Sequence, residues 1–332
     1  MPLRSRCWGS REPDAGLDRN NENAYHFGVP RLSTLAVAVV IGGVIGVGAC
    51  SSSERRSTAP RGQCPTAPVP VVVSVDQWGD IVDQLAGDCG DVVTIIKSSA
   101  ADPHDYEPSP SDTAAFDGAR LVVMNGLDYD PWVDKAIATL DTKPDIVNGG
   151  AVVGRHDGDN PHIWYGPRYV YAVADAVTAQ LRKLAPKAAT YLRERHAAWR
   201  RSMTPYDAEI ARIRPVAKGT TYGATEGVFQ YMADALGLVD KTPRGYANAS
   251  ANESDPAPGD VKAFQDALAA GNMTVLVFNT QTEGSIPEQI RHEAERADVP
   301  VVDVTETVPP GAASFVNWQV GQLRHLATAL GA

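Results

Sequence analysis

The 332-residue chain holds only four cysteines, and no two of them form a C-x-x-C pair. A zinc ribbon, a thioredoxin-type redox centre and a disulfide-built scaffold are therefore excluded. It has no G-x-x-x-x-G-K-[ST], no G-x-G-x-x-G anchored on a strand, no G-x-S-x-G and no H-E-x-x-H, so nucleotide, dinucleotide, serine-hydrolase and zincin chemistry lack their signatures. Positive charge is in short supply: 30 Lys+Arg face 40 Asp+Glu, a formal charge of −10, which argues against a nucleic-acid surface and weakly favours cationic ligands. What is present is ordinary: 43% hydrophobic and 21% charged residues, with 29 Gly and 24 Pro. That composition excludes disorder, collagen and a polytopic membrane protein, and at this length two domains are expected.

The longest apolar run, residues 35–49 (LAVAVVIGGVIGVGA), is short for a bilayer span and has the length of a signal-peptide core, with Arg31 ahead of it. It ends in Val47-Gly48-Ala49-Cys50, small residues before a Cys as in the lipobox of bacterial lipoproteins. A membrane anchor with an incidental Cys is disfavoured, because the polar text SSSERRSTAPRGQ follows at once. The expectation is a signal peptide over 29–49, Cys50 as a lipid-carrying mature N-terminus, and a flexible tether over 50–66. The protein would then sit on the outer face of a bacterial cytoplasmic membrane. Residues 1–28 are polar, aperiodic and out of place before a signal peptide, and are read as a leader from a mis-assigned start, with Val29 as the initiator. Residues 1–49 contain five Lys/Arg and four Asp/Glu, so the acidic character belongs to the remainder.

From Val69 short β-branched runs alternate with helical text: VPVVVSV, WGDIVDQLAGD, DVVTIIKS, SPSDTAAFDGA, RLVVMNG, YDPWVDKAIATL and DIVN. Such alternation predicts a parallel sheet covered by helices, with Ser109 or Ser111 capping one of them. A long helical stretch follows Pro167, whose second part, PKAATYLRERHAAWRRSMTPYDAEIARI, reads as one long helix kinked at Pro205. Alternation restarts at Lys218 and runs to a terminal helix over 313–330, interrupted by a Gly/Asn/Ser/Pro-rich loop reaching Pro258. The predicted fold class is α/β: an N-terminal lobe over 67–166, a helical linker segment over 167–213 and a C-terminal lobe over 214–332.

Open parallel sheets gather ligands beyond their strand C-terminal ends, and four side chains fall there. His104 lies in SAADPHDYEP and His162 in GDNPHIWYGP, each directly after a proline. A solvated surface histidine is the commoner outcome for either one alone, and two stiffened Pro-His loops in one lobe bring the metal-ligand reading level with it. Glu226 opens a helix, where the dipole alone would favour an acid. Glu306 follows VPVVDVT in a loop closed by Pro309-Pro310. Cys64 precedes the first strand and Cys89 follows the helix returning from it, so both fall on the same sheet edge and a disulfide is predicted in an oxidising compartment.

DPHDYEPSPSD with VVMNGLDYDPW, NPHIWYGP, GATEGVFQYMADALGL, VPVVDVTET and FVNWQVGQLRHLATAL occur in an order that resembles the zinc/manganese-binding lipoproteins of ABC metal importers, the ZnuA/TroA-like family. The resemblance covers roughly 67–332. It implies two lobes joined by a single long rigid helix and one divalent transition metal, Zn²⁺ or Mn²⁺, held between them as cargo. It further implies a permease with a cytosolic ATPase as partners, a monomeric receptor, no nucleic acid and no catalysis. Carried over by position, the ligands are His104, His162, Glu226 and Glu306. The last stands where the family usually has Asp, which leaves Asp303 as the alternative. The long His-rich loop of zinc-dedicated members is missing; the segment GGAVVGRHDGDNPH holds only His156 besides His162. Two other readings remain open at this point: a surface adhesin of the same fold, and a metallohydrolase using Glu226 as base.

Overall fold

A computed structural model describes residues 63–98, 102–282 and 284–332. The expected leader, the signal peptide, Cys50 and the tether as far as residue 62 lie outside the described residues. Among the described residues no helix is long and apolar enough to cross a membrane.

The first lobe is built from β1 (Val69–Val75), α1 (Asp76–Ala86), β2 (Gly90–Ile96), α2 (Pro110–Phe116), β3 (Leu121–Met124), α3 (Trp132–Ala138), β4 (Asp145–Asn148) and α4 (Gly149–Val152). Its four strands are all parallel, in the order β2-β1-β3-β4, with Val71 registered against both Val92 and Leu121. The nearly continuous apolar run of β1, interrupted only by the buried Ser74, follows from its central place, since helices cover both faces of a parallel sheet. Ser109 caps α2 as a reciprocal box: its Oγ accepts from the Asp112 N–H while Asp112 accepts from the Ser109 N–H.

Three helices follow: α5 (Pro167–Leu184), α6 (Ala189–Ser202) and α7 (Thr204–Ala217). The expected single kinked helix is two helices separated at Met203. Pro205 stands in the first turn of α7, where its missing N–H costs nothing, so the break comes ahead of it. The buried Met203 fills the joint. α6 packs on α1 and α5, whereas α7 packs on α12 and α8, so this segment of roughly 40 Å carries the chain from one lobe to the other.

The second lobe comprises β5 (Thr221–Ala224), α8 (Gln230–Leu236), β6 (Val239–Asp240), α9 (Arg244–Ala251), α10 (Pro258–Ala269), β7 (Val275–Asn279), α11 (Ser285–Arg296), β8 (Val301–Val304) and α12 (Phe315–Ala329). Its parallel sheet has the order β6-β5-β7-β8, the same permutation as the first. The Gly/Asn/Ser/Pro-rich stretch expected to be loop contains α9. Tertiary contact overrides its composition: Tyr246 is buried edge-to-face on Phe264, 4.8 Å between centroids.

One buried apolar cluster extends from Val73 and Trp78 in the first lobe through Tyr165 and Tyr206 to Phe315 and Leu323 in the second. A smaller one lies under α9, α10 and α11. The predicted disulfide is present: Cys64 and Cys89 are bonded, with Cα atoms 5.0 Å apart, pinning the chain entry to the edge beside β2.

Candidate metal centre

Both lobes present the C-terminal ends of their strands to one cleft. In the first lobe β3 runs into the loop Asn125–Pro131, where Gly126 (φ 72°), Leu127 (φ 64°) and Asp128 (φ 58°) are successively left-handed. A Cβ on Gly126 would stand 2.3 Å from Asn148 Oδ1, so only glycine fits there. The buried Asp130 carboxylate holds the loop by accepting from the Asn125 N–H (2.7 Å) and the Gly126 N–H (2.8 Å), while burial pushes its pKa up. Asn125 in turn donates from Nδ2 to the Pro161 carbonyl at 3.0 Å, tying this loop to the one that carries His162.

His162 is buried, and Trp164 and Tyr129 flank it edge-on, with centroids at 5.2 and 6.3 Å. Its Nδ1 donates to Asn160 Oδ1 at 2.8 Å, which fixes the tautomer with the lone pair on Nε2. That Nε2 has no hydrogen-bond partner although it is buried. It faces two carboxylates of the other lobe, Glu226 Oε1 at 3.8 Å and Glu306 Oε1 at 3.6 Å. One ligand atom from each of these three residues lies within 4.8 Å of the others. Bonds of about 2.0–2.2 Å to a tetrahedral ion place ligand atoms roughly 3.3–3.6 Å apart, so the two imidazole–carboxylate separations already stand within a few tenths of an ångström of what a divalent cation requires.

Each carboxylate is aimed by its own lobe. Glu226 follows β5, and its Oε2 accepts from Asn279 Nδ2 (2.7 Å) and Thr282 Oγ1 (2.5 Å), which leaves Oε1 for the cleft. Glu306 follows β8, where Gln281 Oε1 accepts from its backbone N–H at 2.6 Å and from that of Thr307 at 2.9 Å. Burial raises the Glu306 pKa. The imidazole of His162, the Tyr129 hydroxyl and the nearby His104 outweigh that effect and leave it below its usual value. The carboxylate is thus held ionised in a buried place.

His104 stands differently. It lines the same cavity of about 590 Å³ as Glu226 and Glu306 and packs edge-on against Tyr129 at 4.8 Å. Its Nδ1, however, is engaged by the Asp128 carbonyl (3.2 Å) and Glu253 Oε1 (3.3 Å), and it is outside the three-residue cluster. Asp303, the alternative to Glu306, points elsewhere: half-exposed, it pairs with Arg291 Nη1 at 3.3 Å. His156 and His325 are exposed, His292 is exposed and paired with Glu295, and His196 meets Asp175 at 2.7 Å on the surface. Sequence reading passed over Asn160, Tyr129, Asn279, Thr282 and Gln281, which aim the ligand candidates. Of these only Asn160 carried a signal, its place two residues before His162.

A two-lobed α/β protein whose cleft is lined by an unpartnered imidazole nitrogen and opposed carboxylates belongs to the class of cleft-binding receptors for cations. Residues 71–329 match the family described as "ZnuA: Zinc-uptake complex component A periplasmic", and the chain belongs to that family. Its members are substrate-binding receptors of ABC metal importers, not enzymes, which overturns the metallohydrolase alternative. The chain is 24% identical to the iron-binding protein YfeA of Yersinia pestis, over 88% of this chain and 84% of that one. It is 22% identical to the manganese ABC transporter substrate-binding lipoprotein PsaA of Streptococcus pneumoniae, over 76% and 82% of the two. In fold it is similar to the periplasmic zinc-binding protein TroA of Treponema pallidum, with a TM-score of 0.67 at 17% identity, covering 80% of this chain and 99% of that one.

Proposed function

We propose that this protein captures Zn²⁺ or Mn²⁺ outside the cytoplasmic membrane and delivers it to an ABC permease driven by a cytosolic ATPase. In this reading His162, Glu226 and Glu306 form the core of the site, His104 completes it as fourth ligand, and a lipid on Cys50 keeps the monomeric receptor at the membrane. The observation that carries the proposal is the buried, unpartnered Nε2 of His162 facing two carboxylates. A buried polar atom without a partner is costly, and a cation relieves both that cost and the repulsion between the two acids. Because the imidazoles come from one lobe and the carboxylates from the other, a small parting of the lobes weakens every bond at once and releases the cargo.

Two carboxylates beside imidazole give a hard shell that suits Mn²⁺, whereas the Irving–Williams order favours Zn²⁺ at almost any such site. Zn²⁺ is therefore expected to bind at least as tightly in vitro, with Mn²⁺ taken at a higher coordination number through bidentate carboxylates. Competition titration of residues 50–332 should give one metal per chain with a dissociation constant below roughly micromolar, about 8 kcal/mol. Glu226→Ala should abolish this binding, and His196→Ala should leave it intact. Wild-type affinity in Glu226→Ala, or no binding of either ion by the wild type, would defeat the reading.

A further inference from the structure

Glu253 lies outside the three-residue cluster and is largely exposed, yet it reaches from the second lobe across the cleft mouth to a candidate ligand of the first. Its Oε1 stands 3.3 Å from His104 Nδ1. Its backbone is left-handed, φ 52°, at the residue just beyond the C-cap of α9. The Glu253 N–H closes onto the Ser250 carbonyl (3.0 Å) and the Ser254 N–H onto that of Ala249 (3.0 Å), so the helix end is complete around it. Glycine is the usual occupant of such a position, because a side chain there is strained. Strain retained at a cleft mouth, on a residue whose carboxylate contacts an imidazole of the other lobe, points to the side chain as the reason.

We propose that Glu253 is a positioning residue: a latch from the second lobe that anchors the His104 imidazole while the lobes are closed and so slows loss of the bound cation. The proposal rests on the metal-receptor reading above. His104 Nδ1 is surrounded by two acceptors, the Asp128 carbonyl and Glu253, so it carries the proton and Nε2 is the nitrogen left for a metal. The Asp128 carbonyl belongs to the same lobe as His104 and stays with it whatever the lobes do. Glu253 is the partner that separation of the lobes removes. His162 shows the same arrangement through Asn160, whose Nδ2 donates to the Gly227 carbonyl (2.7 Å) and Gln230 Oε1 (2.8 Å) of the second lobe. Both imidazoles are thus steadied by groups that engage the opposite lobe, and opening would loosen their hold as it weakens the metal bonds.

The test is stopped-flow release of Mn²⁺ and Zn²⁺ into excess chelator from wild type, Glu253→Ala, Glu253→Gly, Glu253→Gln and His104→Ala, with Glu253→Ala also placed in the His104→Ala background. Release from Glu253→Ala and Glu253→Gly should be about 10–100-fold faster than wild type, the usual effect of losing a residue that orients a ligand. Glu253→Gly should at the same time melt no lower than wild type, since it relieves the backbone. Glu253→Gln, which keeps an acceptor oxygen, should fall between wild type and Glu253→Ala. In the His104→Ala background Glu253→Ala should add nothing. In metal-free protein, hydrogen exchange over residues 102–109 should quicken in Glu253→Ala. Unchanged or slower release, or an equal acceleration with and without His104, would overturn the latch, the last showing Glu253 to act only as a distant negative charge. Wild-type protein that binds neither ion would instead defeat the receptor reading, and hydrogen exchange would still decide whether the His104–Glu253 contact orders the loop.

Discussion

At the residue scale the site depends on side chains that hold the ligand candidates from behind. Asn160 is the most heavily used: its Oδ1 accepts from the backbone N–H and Nδ1 of His162, its Nδ2 crosses to the second lobe, and its carbonyl accepts from the Tyr231 hydroxyl at 2.8 Å. Asn160→Ala frees the imidazole and strips two donors of their acceptor, so metal affinity should fall about 10–100-fold by competition titration while the protein stays folded. Gly126→Ala should be worse for folding, because the left-handed backbone and Asn148 both reject a Cβ; a loss of about 1–3 kcal/mol in urea unfolding is expected. Histidines placed after prolines and acids placed just past strands were legible in the sequence, because those spacings are local. The residues that aim them were not: Asn279 and Thr282 reach Glu226 from more than 50 positions away, and Gln77 donates to Tyr129 across 52. No local pattern encodes such contacts, nor the tilt that turns His104 Nδ1 toward Glu253.

At the scale of elements, hydrophobic alternation located the long strands and most helices, because both sheets are parallel and their central strands are mostly apolar. It missed α9, whose polar text is helical where Tyr246 packs on Phe264. It also missed β6, two residues long on a sheet edge. The junction at Met203 was foreshadowed by Pro205, but the proline marks the start of the next helix rather than a kink within one. The disulfide belongs to this scale, since it joins the segment ahead of β1 to the turn before β2. Closing a separation of 25 residues restricts the unfolded chain by about 3 kcal/mol on loop-entropy grounds. Cys64→Ser/Cys89→Ser protein should accordingly unfold at lower denaturant than the oxidised wild type, with metal affinity little changed because the bond lies at the far edge of the sheet from the cleft.

At the scale of the whole molecule, the two lobes are bound by a polar seam as well as by a shared core. The Tyr165 hydroxyl donates to the Thr305 carbonyl (2.7 Å), Asp80 Oδ2 accepts from the Phe315 N–H at the start of α12 (2.8 Å), and Asp76 Oδ1 accepts from the Val308 N–H (3.4 Å). Burial pushes the Asp76 pKa from 3.8 up to about 6, outweighing the backbone hydrogen bonds that lower it. A folded-state pKa above the unfolded one means that the native protein binds the proton more tightly. This contribution to stability is therefore present below about pH 4 and is lost as pH rises through about 6. Asp76→Asn keeps an acceptor oxygen without the charge, so it should gain about 2 kcal/mol over wild type at pH 7.5 and little at pH 4, as read by urea midpoints. The most direct test of the account places the cargo itself. Crystals soaked in Mn²⁺ or Zn²⁺ should show one anomalous peak between the lobes, about 2.0–2.3 Å from His162 Nε2 and from oxygens of Glu226 and Glu306, with His104 Nε2 completing the shell. A peak at another site, such as the exposed His156, or no peak in a crystal of folded protein, would contradict it.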